Sequence, residues 1–195
     1  MAWLTENRRT AVVEKPGTPY LNDKLKHILS TKYFPRYPTK QAVLLPALHL
    51  IQHEYNWIPQ AALSEIADFL QISAAEVMDT ATFYEEYWLK PKGPYLVQVC
   101  RSLACEICGS RKITEHLKEK FACEEGETSP DGRFTLVELE CLGSCGTAPV
   151  ALINDVLLEN QTVELMDQAI AALPNDPHDF KDPTINWETH GASGH

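Results

Sequence analysis

Five cysteines in two short segments carry most of the chemistry that this sequence offers. CRSLACEIC places thiols at Cys100, Cys105 and Cys108, and CLGSCGTAP adds Cys141 and Cys145. Closely spaced thiolates are ligands for zinc and for iron–sulfur clusters. A [2Fe–2S] cluster takes four thiolates, so five neighbouring candidates raise the question of which four bind.

Three ligand sets compete on spacing. In the first, Cys100, Cys105 and Cys108 bind together with one later cysteine, which is the plant-type ferredoxin arrangement. In the second, two loops supply one pair each, Cys100 with Cys105 and Cys141 with Cys145. In the third, the same thiols hold a structural zinc ion.

Local context favours the two-loop set. A predicted strand ends at Cys100 and a predicted helix begins near Gly109, so Cys108 is explained as a small buried residue at the joint. The glycines of CLGSCG avoid collision with a bound cluster and permit positive φ values. Backbone N–H groups along such a turn stabilise an anionic cluster.

Two other uses of the thiols stay open. Four thiolates suit zinc, although gaps of four and three residues are wide for zinc knuckles, which typically use C-x2-C. The C-x-x-C formed by Cys105 and Cys108 lies near a predicted helix start, where thiol pKa values fall, and would suit a thiol–disulfide enzyme. We favour iron–sulfur over both, and we expect Cys123, at a predicted helix end, to be uninvolved.

Strands and helices alternate around these cysteines. Strands are predicted over residues 94–100, 133–140, 149–154 and 156–160. Helices are predicted over 110–121, with Ile113 and Leu117 inward, and over 162–173, capped by Thr162. The order β-α-β-β-β-α predicts an α/β or α+β sheet domain over residues 91–173.

The preceding segment, residues 20–90, is predicted to be a small helical bundle. Apolar residues recur at helical spacing in two groups, Leu44, Leu45, Leu48, Ile51 and Tyr55, then Leu63, Ile66, Ala67 and Leu70. Predicted helix starts are Pro38-Thr39, Pro59 and the capping box Ser73 to Glu76. The segments 1–19 and 174–195 have no periodicity and are predicted to be tails.

An aromatic run, ATFYEEYW at residues 81–88, follows these helices. It could contact a partner protein, because Tyr and Trp anchor interfaces. Alternatively, helical spacing packs its rings into a hinge between the helices and the sheet domain.

Composition narrows the function classes. The chain has 195 residues, 44% of them hydrophobic, and a net charge of −10. This balance is typical of soluble globular proteins and argues against a nucleic-acid partner. The amino terminus offers no signal-peptide core and no stretch approaches a membrane span, so we expect a cytoplasmic protein. In a reducing compartment, six cysteines favour metal ligation over disulfides.

Taken together, the segments resemble a known family, the thioredoxin-like [2Fe–2S] ferredoxin subunit of NADH:quinone oxidoreductase (complex I), called the E subunit in bacteria. The likeness covers roughly residues 20–173. It rests on Cys100-x4-Cys105, CLGSCGTAPVALIN, TATFYEEYWLKPKGPYLVQVC, YPTKQAVLLPALHLIQHEYNWIP and FLQISAAEVMDTATFY. Related subunits occur in NAD-reducing hydrogenases and NAD-dependent formate dehydrogenases.

The resemblance implies a thioredoxin-like fold with one [2Fe–2S] cluster held by Cys100, Cys105, Cys141 and Cys145. It implies a one-electron carrier beside a flavoprotein subunit that holds FMN and oxidises NADH. It also implies a place in the peripheral arm of the complex, with other iron–sulfur subunits, on the cytoplasmic side and without membrane insertion. The chain alone would have no dehydrogenase activity, and the sequence contains no G-x-G-x-x-G nucleotide fingerprint. Cys108 matches none of the implied ligand positions.

Overall fold

The computed structural model describes residues 17–177, and the chain divides into two compact units between Pro91 and Lys92. The predicted tails, 1–19 and 174–195, lie almost entirely outside the described residues. Each unit has its own buried apolar cluster, so each is described by itself.

Helices form the described part of the first unit. They are α1 (Asp23–Ile28), α2 (Leu44–Tyr55), α3 (Gln60–Leu70) and α4 (Ala74–Phe83), with a π-helical segment at Leu29–Tyr33 and short 3₁₀ turns at Phe34–Arg36 and Gln41–Val43. The predicted capping box is confirmed. Ser73 N–H donates to Glu76 Oε2 at 2.9 Å, and Glu76 N–H donates to Ser73 Oγ at 3.2 Å.

The start predicted for α2 is wrong by about one turn. The chain after Pro38 forms the 3₁₀ turn Gln41–Val43, and the α-helix begins only at Leu44. Pro46 then occupies the third helical position, where a backbone N–H would have no intrahelical partner. Leu44 is buried in the core but Leu45 is partly exposed, because one helical step of 100° carries it off the buried face.

The aromatic run does not continue at helical spacing. Helix α4 ends at Phe83, and Tyr84 has extended backbone. Phe83 is 74% exposed, whereas Tyr87 is buried in the core of this unit. The interpretation that helical spacing packs these rings inward is therefore wrong for Phe83 and Tyr84, whose side chains are exposed.

A mixed sheet with flanking helices forms the second unit. Its elements are β1 (Tyr95–Cys100), α5 (Leu103–Ile107), α6 (Ser110–Phe121), β2 (Phe134–Leu139), a 3₁₀ turn (Cys145–Thr147), β3 (Ala151–Ile153), β4 (Val156–Leu158) and α7 (Val163–Ala171). In the described part of the chain the strand order is β2-β1-β3-β4. The predicted order of strands and helices is confirmed, and the structure adds helix α5. This helix has only five residues, too few to show a helical period in the sequence.

Strand directions decide where the loops emerge. β1 and β2 are parallel, from Tyr95 opposite Phe134 to Cys100 opposite Leu139, so both strands end at one edge of the sheet. β3 runs antiparallel to β1 and therefore begins at that same edge. At the other end, a Cβ on Gly93 would stand 2.8 Å from the Arg133 carbonyl oxygen, so only glycine allows this close approach.

Apolar side chains from the strands and from α6 and α7 make the core of this unit. Ile113 and Leu117 are buried there, as predicted. Thr162 caps α7, as predicted, by accepting a hydrogen bond of 3.2 Å from Leu165 N–H. Cys123, just after α6, is buried in the same core.

Candidate metal centre

Three chain segments that carry cysteines meet at the edge where β1 and β2 end. Cys100 is the last residue of β1, and Cys141 follows β2 by two residues. The turn with Cys145 leads into β3. Backbone hydrogen bonds fix the convergence: Arg101 N–H donates to the Leu139 carbonyl at 2.9 Å, and Cys100 N–H donates to the Val150 carbonyl at 3.1 Å.

The first pair of thiols, Cys100 and Cys105, is buried. Both pack with Val150 in a small apolar cluster, separate from the main core. Burial raises the pKa of the Cys105 thiol, hydrogen bonding with Cys100 raises it further, and a hydrogen bond from the Val150 backbone lowers it. Helix α5 supplies Cys105 from its third residue, on the helix face that is turned inward.

The second pair, Cys141 and Cys145, is exposed. The negative charge of Cys141 is the largest cause that raises the pKa of the Cys145 thiol, followed by hydrogen bonding with Cys141. Gly143 N–H lies 3.4 Å from Cys141 Sγ and donates to it. Gly143 has φ +77°, the left-handed conformation expected of a glycine in this loop.

Charge interactions join the two pairs. Cys145 raises the pKa of the Cys105 thiol, and Cys100 raises that of Cys145. Within residues 17–177, no three His, Cys, Asp or Glu side chains are grouped so as to hold a single metal ion. The hydrogen-bond and charge interactions link Cys100 with Cys105 and Cys141 with Cys145, and four thiolates are the donor set that a two-iron cluster takes.

Cys108 and Cys123 differ from these four thiols in their surroundings. Cys108 is exposed at the end of α5, so the prediction that it is a small buried residue is wrong. The short helix turns position 108 outward, where the prediction assumed a direct passage from strand to helix. Cys123 has its pKa raised by core burial and by Glu127, Glu124 and Asp131, groups outside the candidate site.

An ion pair that was not predicted from the sequence lies beside the site. Arg101 follows Cys100 and Glu140 precedes Cys141, and the guanidinium Nη2 contacts Glu140 Oε1. This hydrogen bond is the main cause that raises the pKa of Arg101. Arg101 and Glu140 are the first residues after the neighbouring parallel strands β1 and β2, so a prediction of the strand register would have placed them side by side.

Helix α5 also presents apolar side chains to solvent. Leu103 and Ile107, one turn apart on either side of Cys105, are 75% and 77% exposed. Neither residue was among the site residues predicted from the sequence. Their spacing in LACEI places them together on the helix surface.

Residues 30–174 match the family model described as thioredoxin-like [2Fe–2S] ferredoxin. The chain belongs to this family, whose members bind a [2Fe–2S] cluster. Within the family, it is a homologue of the E subunit of NADH-quinone oxidoreductase.

Curated relatives support this placement. NADH-quinone oxidoreductase subunit 2 of Thermus thermophilus is 38% identical over 70% of this chain and 75% of its own length. The E subunit of the same enzyme from Rickettsia bellii is 36% identical over 82% of this chain and 97% of its own. The E subunit from Mycobacterium tuberculosis is 39% identical over 72% of this chain but only 56% of its own.

A solved structure shares the fold. An NAD⁺-reducing [NiFe]-hydrogenase in the air-oxidized state aligns with a TM-score of 0.60 at 26% identity. The match covers 69% of this chain and 24% of the hydrogenase chain, so this protein spans about a quarter of that chain. Among the helices of residues 17–177, none is long and apolar enough to cross a membrane.

Proposed function

We propose that this protein is a one-electron carrier that holds one [2Fe–2S] cluster through Cys100, Cys105, Cys141 and Cys145. The observation that carries the proposal is that the segments with these four thiols converge where β1 and β2 end, and that charge and hydrogen-bond interactions link the thiols. When bound, such a cluster supplies reversible one-electron chemistry. The residues around it provide the ligands and the local electrostatics.

The chain gives the two sides of the site different environments. Burial of Cys100 and Cys105 behind Val150 keeps water from one side. The exposed loop of Cys141 and Cys145 leaves the other side open to a partner. This asymmetry suits a carrier that must exchange electrons across a protein surface.

The partner that we propose is a flavoprotein subunit that holds FMN and oxidises NADH. The relatives named NADH-quinone oxidoreductase subunits support this assignment, at 36% to 39% identity over most of the chain. The complex would act as the enzyme, while this chain would contribute electron transfer and no hydride chemistry. We place it in the peripheral arm of complex I, with other iron–sulfur subunits, on the cytoplasmic side of the membrane.

A second host has specific support. The structural match to an NAD⁺-reducing hydrogenase makes the equivalent subunit of such an enzyme the alternative. Purification of the tagged full chain from its own cells separates the two hosts. A co-purifying complex that oxidises NADH with a quinone supports the first, and one that reduces NAD⁺ with hydrogen supports the second.

Electron paramagnetic resonance tests the cluster itself. The full chain, purified without oxygen and reduced with dithionite, should give the signal of one [2Fe–2S] cluster, and its visible absorption should bleach on reduction. A colourless chain that contains zinc and shows no signal would contradict the proposal, because zinc has no redox chemistry.

A further inference from the structure

The exposed turn that carries Cys145 is held by a carboxylate from a distant part of the chain. Glu159 follows β4, and its Oε1 accepts hydrogen bonds of 2.7 Å from Thr147 Oγ1 and 3.0 Å from Ser144 Oγ. Ser144 directly precedes Cys145, and Thr147 follows it by two residues. One carboxylate oxygen therefore joins both ends of the turn.

The hydroxyl groups of Ser144 and Thr147 have other acceptors nearby, but the Glu159 carboxylate is the stronger one. Ser144 Oγ and Thr147 Oγ1 lie 2.8 Å apart, and Thr147 Oγ1 lies 3.2 Å from the Ser144 carbonyl. Each hydroxyl has one proton to donate, and an ionised carboxylate is the stronger acceptor. Hydrogen bonds from Thr147 and then Ser144 hold the pKa of Glu159 below its usual range, so the carboxylate is charged at neutral pH.

Backbone hydrogen bonds continue the contact beyond Glu159. Asn160 N–H donates to the Thr147 carbonyl at 2.8 Å, and Gln161 N–H donates to the Pro149 carbonyl at 2.8 Å. Removal of the Glu159 side chain leaves both of these bonds in place. A variant at Glu159 would thus keep the course of the chain and lose only the carboxylate contacts around Cys145.

We propose that Glu159 is a positioning residue for Cys145: by joining Ser144 to Thr147, its carboxylate fixes the turn from which the Cys145 thiolate reaches the cluster. The inference rests on the proposed iron–sulfur site. Cys145 needs such a device because it is exposed, whereas Cys105 is held by apolar burial. Residues that orient metal ligands typically change metal affinity when they are removed.

The test compares Glu159→Ala and Glu159→Gln with a matched control, Glu164→Ala, in the full chain. Glu164 is also an exposed glutamate that accepts a hydrogen bond from a threonine hydroxyl, that of Thr162, but it lies at the start of α7. Cluster loss to excess chelator is followed by visible circular dichroism. We expect Glu159→Ala to lose its cluster about tenfold faster than wild type.

The other variants show which property of Glu159 causes the change in cluster release. Glu159→Gln should release the cluster at an intermediate rate, because its amide oxygen still accepts hydrogen bonds but has no charge. Glu164→Ala should match wild type. The resonance line shape of reduced Glu159→Ala should also shift, a change that general loss of stability would not produce. Equal release rates and line shapes in Glu159→Ala and wild type would overturn the inference and leave the proposed function standing.

Amide hydrogen exchange of the metal-free full chain tests the turn directly. Exchange over residues 144–147 should be faster in Glu159→Ala than in wild type, and unchanged in Glu164→Ala. Unchanged exchange in Glu159→Ala would overturn the role of the carboxylate. A wild-type chain that takes up no cluster would overturn the proposed function, and with it any role of Glu159 in ligation.

Discussion

The two cysteine pairs of the candidate site are held by different means. Cys100 and Cys105 belong to a strand and a helix and are buried against Val150. Cys141 and Cys145 lie on an exposed loop, positioned by polar contacts such as the one between Gly143 N–H and Cys141 Sγ. Packing fixes one pair and hydrogen bonds fix the other.

The two pairs also differ in what raises the pKa of their thiols, and so in what opposes the formation of thiolates. Burial is the largest cause that raises the pKa of the Cys105 thiol, whereas for Cys145 it is the charge of Cys141. A cation bound between two thiolates relieves their repulsion directly. The buried pair must still form its charges away from water, and hydrogen bonds such as that from Val150 offset part of this cost.

The largest effect is expected from the removal of a ligand thiol. Cys105→Ser and Cys145→Ser should each abolish or badly alter the [2Fe–2S] resonance signal, because the proposed site takes ligands from both pairs. Cys108→Ser is the matched control and should retain the wild-type signal. Loss of the signal in Cys108→Ser, with retention in Cys145→Ser, would support the plant-type ligand set and remove the two-pair comparison.

The next largest effect is expected for thiol alkylation of the metal-free chain. Mass spectrometry after iodoacetamide treatment should find Cys105 modified roughly a hundredfold more slowly than Cys145, because a buried thiol reacts only after local opening. Since the folded pKa of Cys105 is raised, its rate should keep rising with pH above about 8.5, where a free cysteine levels off. Equal rates for both thiols at pH 8 would contradict the assigned burial.

The packing of Val150 against Cys100 and Cys105 can be weakened without changing either cysteine. Val150→Ala removes two methyl groups from a fully buried site and should lower the free energy of unfolding by about 2 kcal/mol. Leu157→Ala, on the partly exposed face of β4, should cost less than about 0.5 kcal/mol. Urea denaturation of the metal-free chains measures both. Similar small losses would mean that apolar packing does not hold the Cys100 side.

The smallest effect concerns the ion pair between the two ligand segments. Arg101→Gln should lower the midpoint potential by roughly tens of millivolts, since it leaves the Glu140 carboxylate unpaired beside Cys141. Glu140→Gln should raise it, and the double variant should return close to wild type. Redox titration followed by resonance measures all three. Shifts of the same sign in both single variants would exclude an electrostatic origin.

Much of the sheet domain was predictable because its elements are distinct in the sequence. The short apolar strand segments and the inward positions Ile113 and Leu117 were sufficient for the order of elements. The capping residues Thr162 and Ser73 marked helix starts because their hydroxyls accept backbone hydrogen bonds nearby in sequence. The four cysteines proposed as ligands were selected by loop context and by the family resemblance.

What could not be predicted depends on contacts between distant residues. Helix α5 is a single short turn with no detectable period, and it exposes Cys108 where burial was expected. Glu159 lies 12 residues from Thr147, and the return of the chain along β4, with the backbone hydrogen bond from Asn160 N–H to the Thr147 carbonyl, brings their side chains together. Leu45 shows that an apolar residue next to a buried helix face can still point outward.

The parallel pairing of β1 and β2 has a consequence for protein engineering. Since both strands end at the cysteine edge, the connection that returns from α6 to β2 lies at the opposite end of the sheet. Asp131 and Gly132 are exposed there. A fluorescent label or a short inserted peptide at this tip would sit a full strand length from the four proposed ligand thiols, and would report on assembly without touching the candidate site.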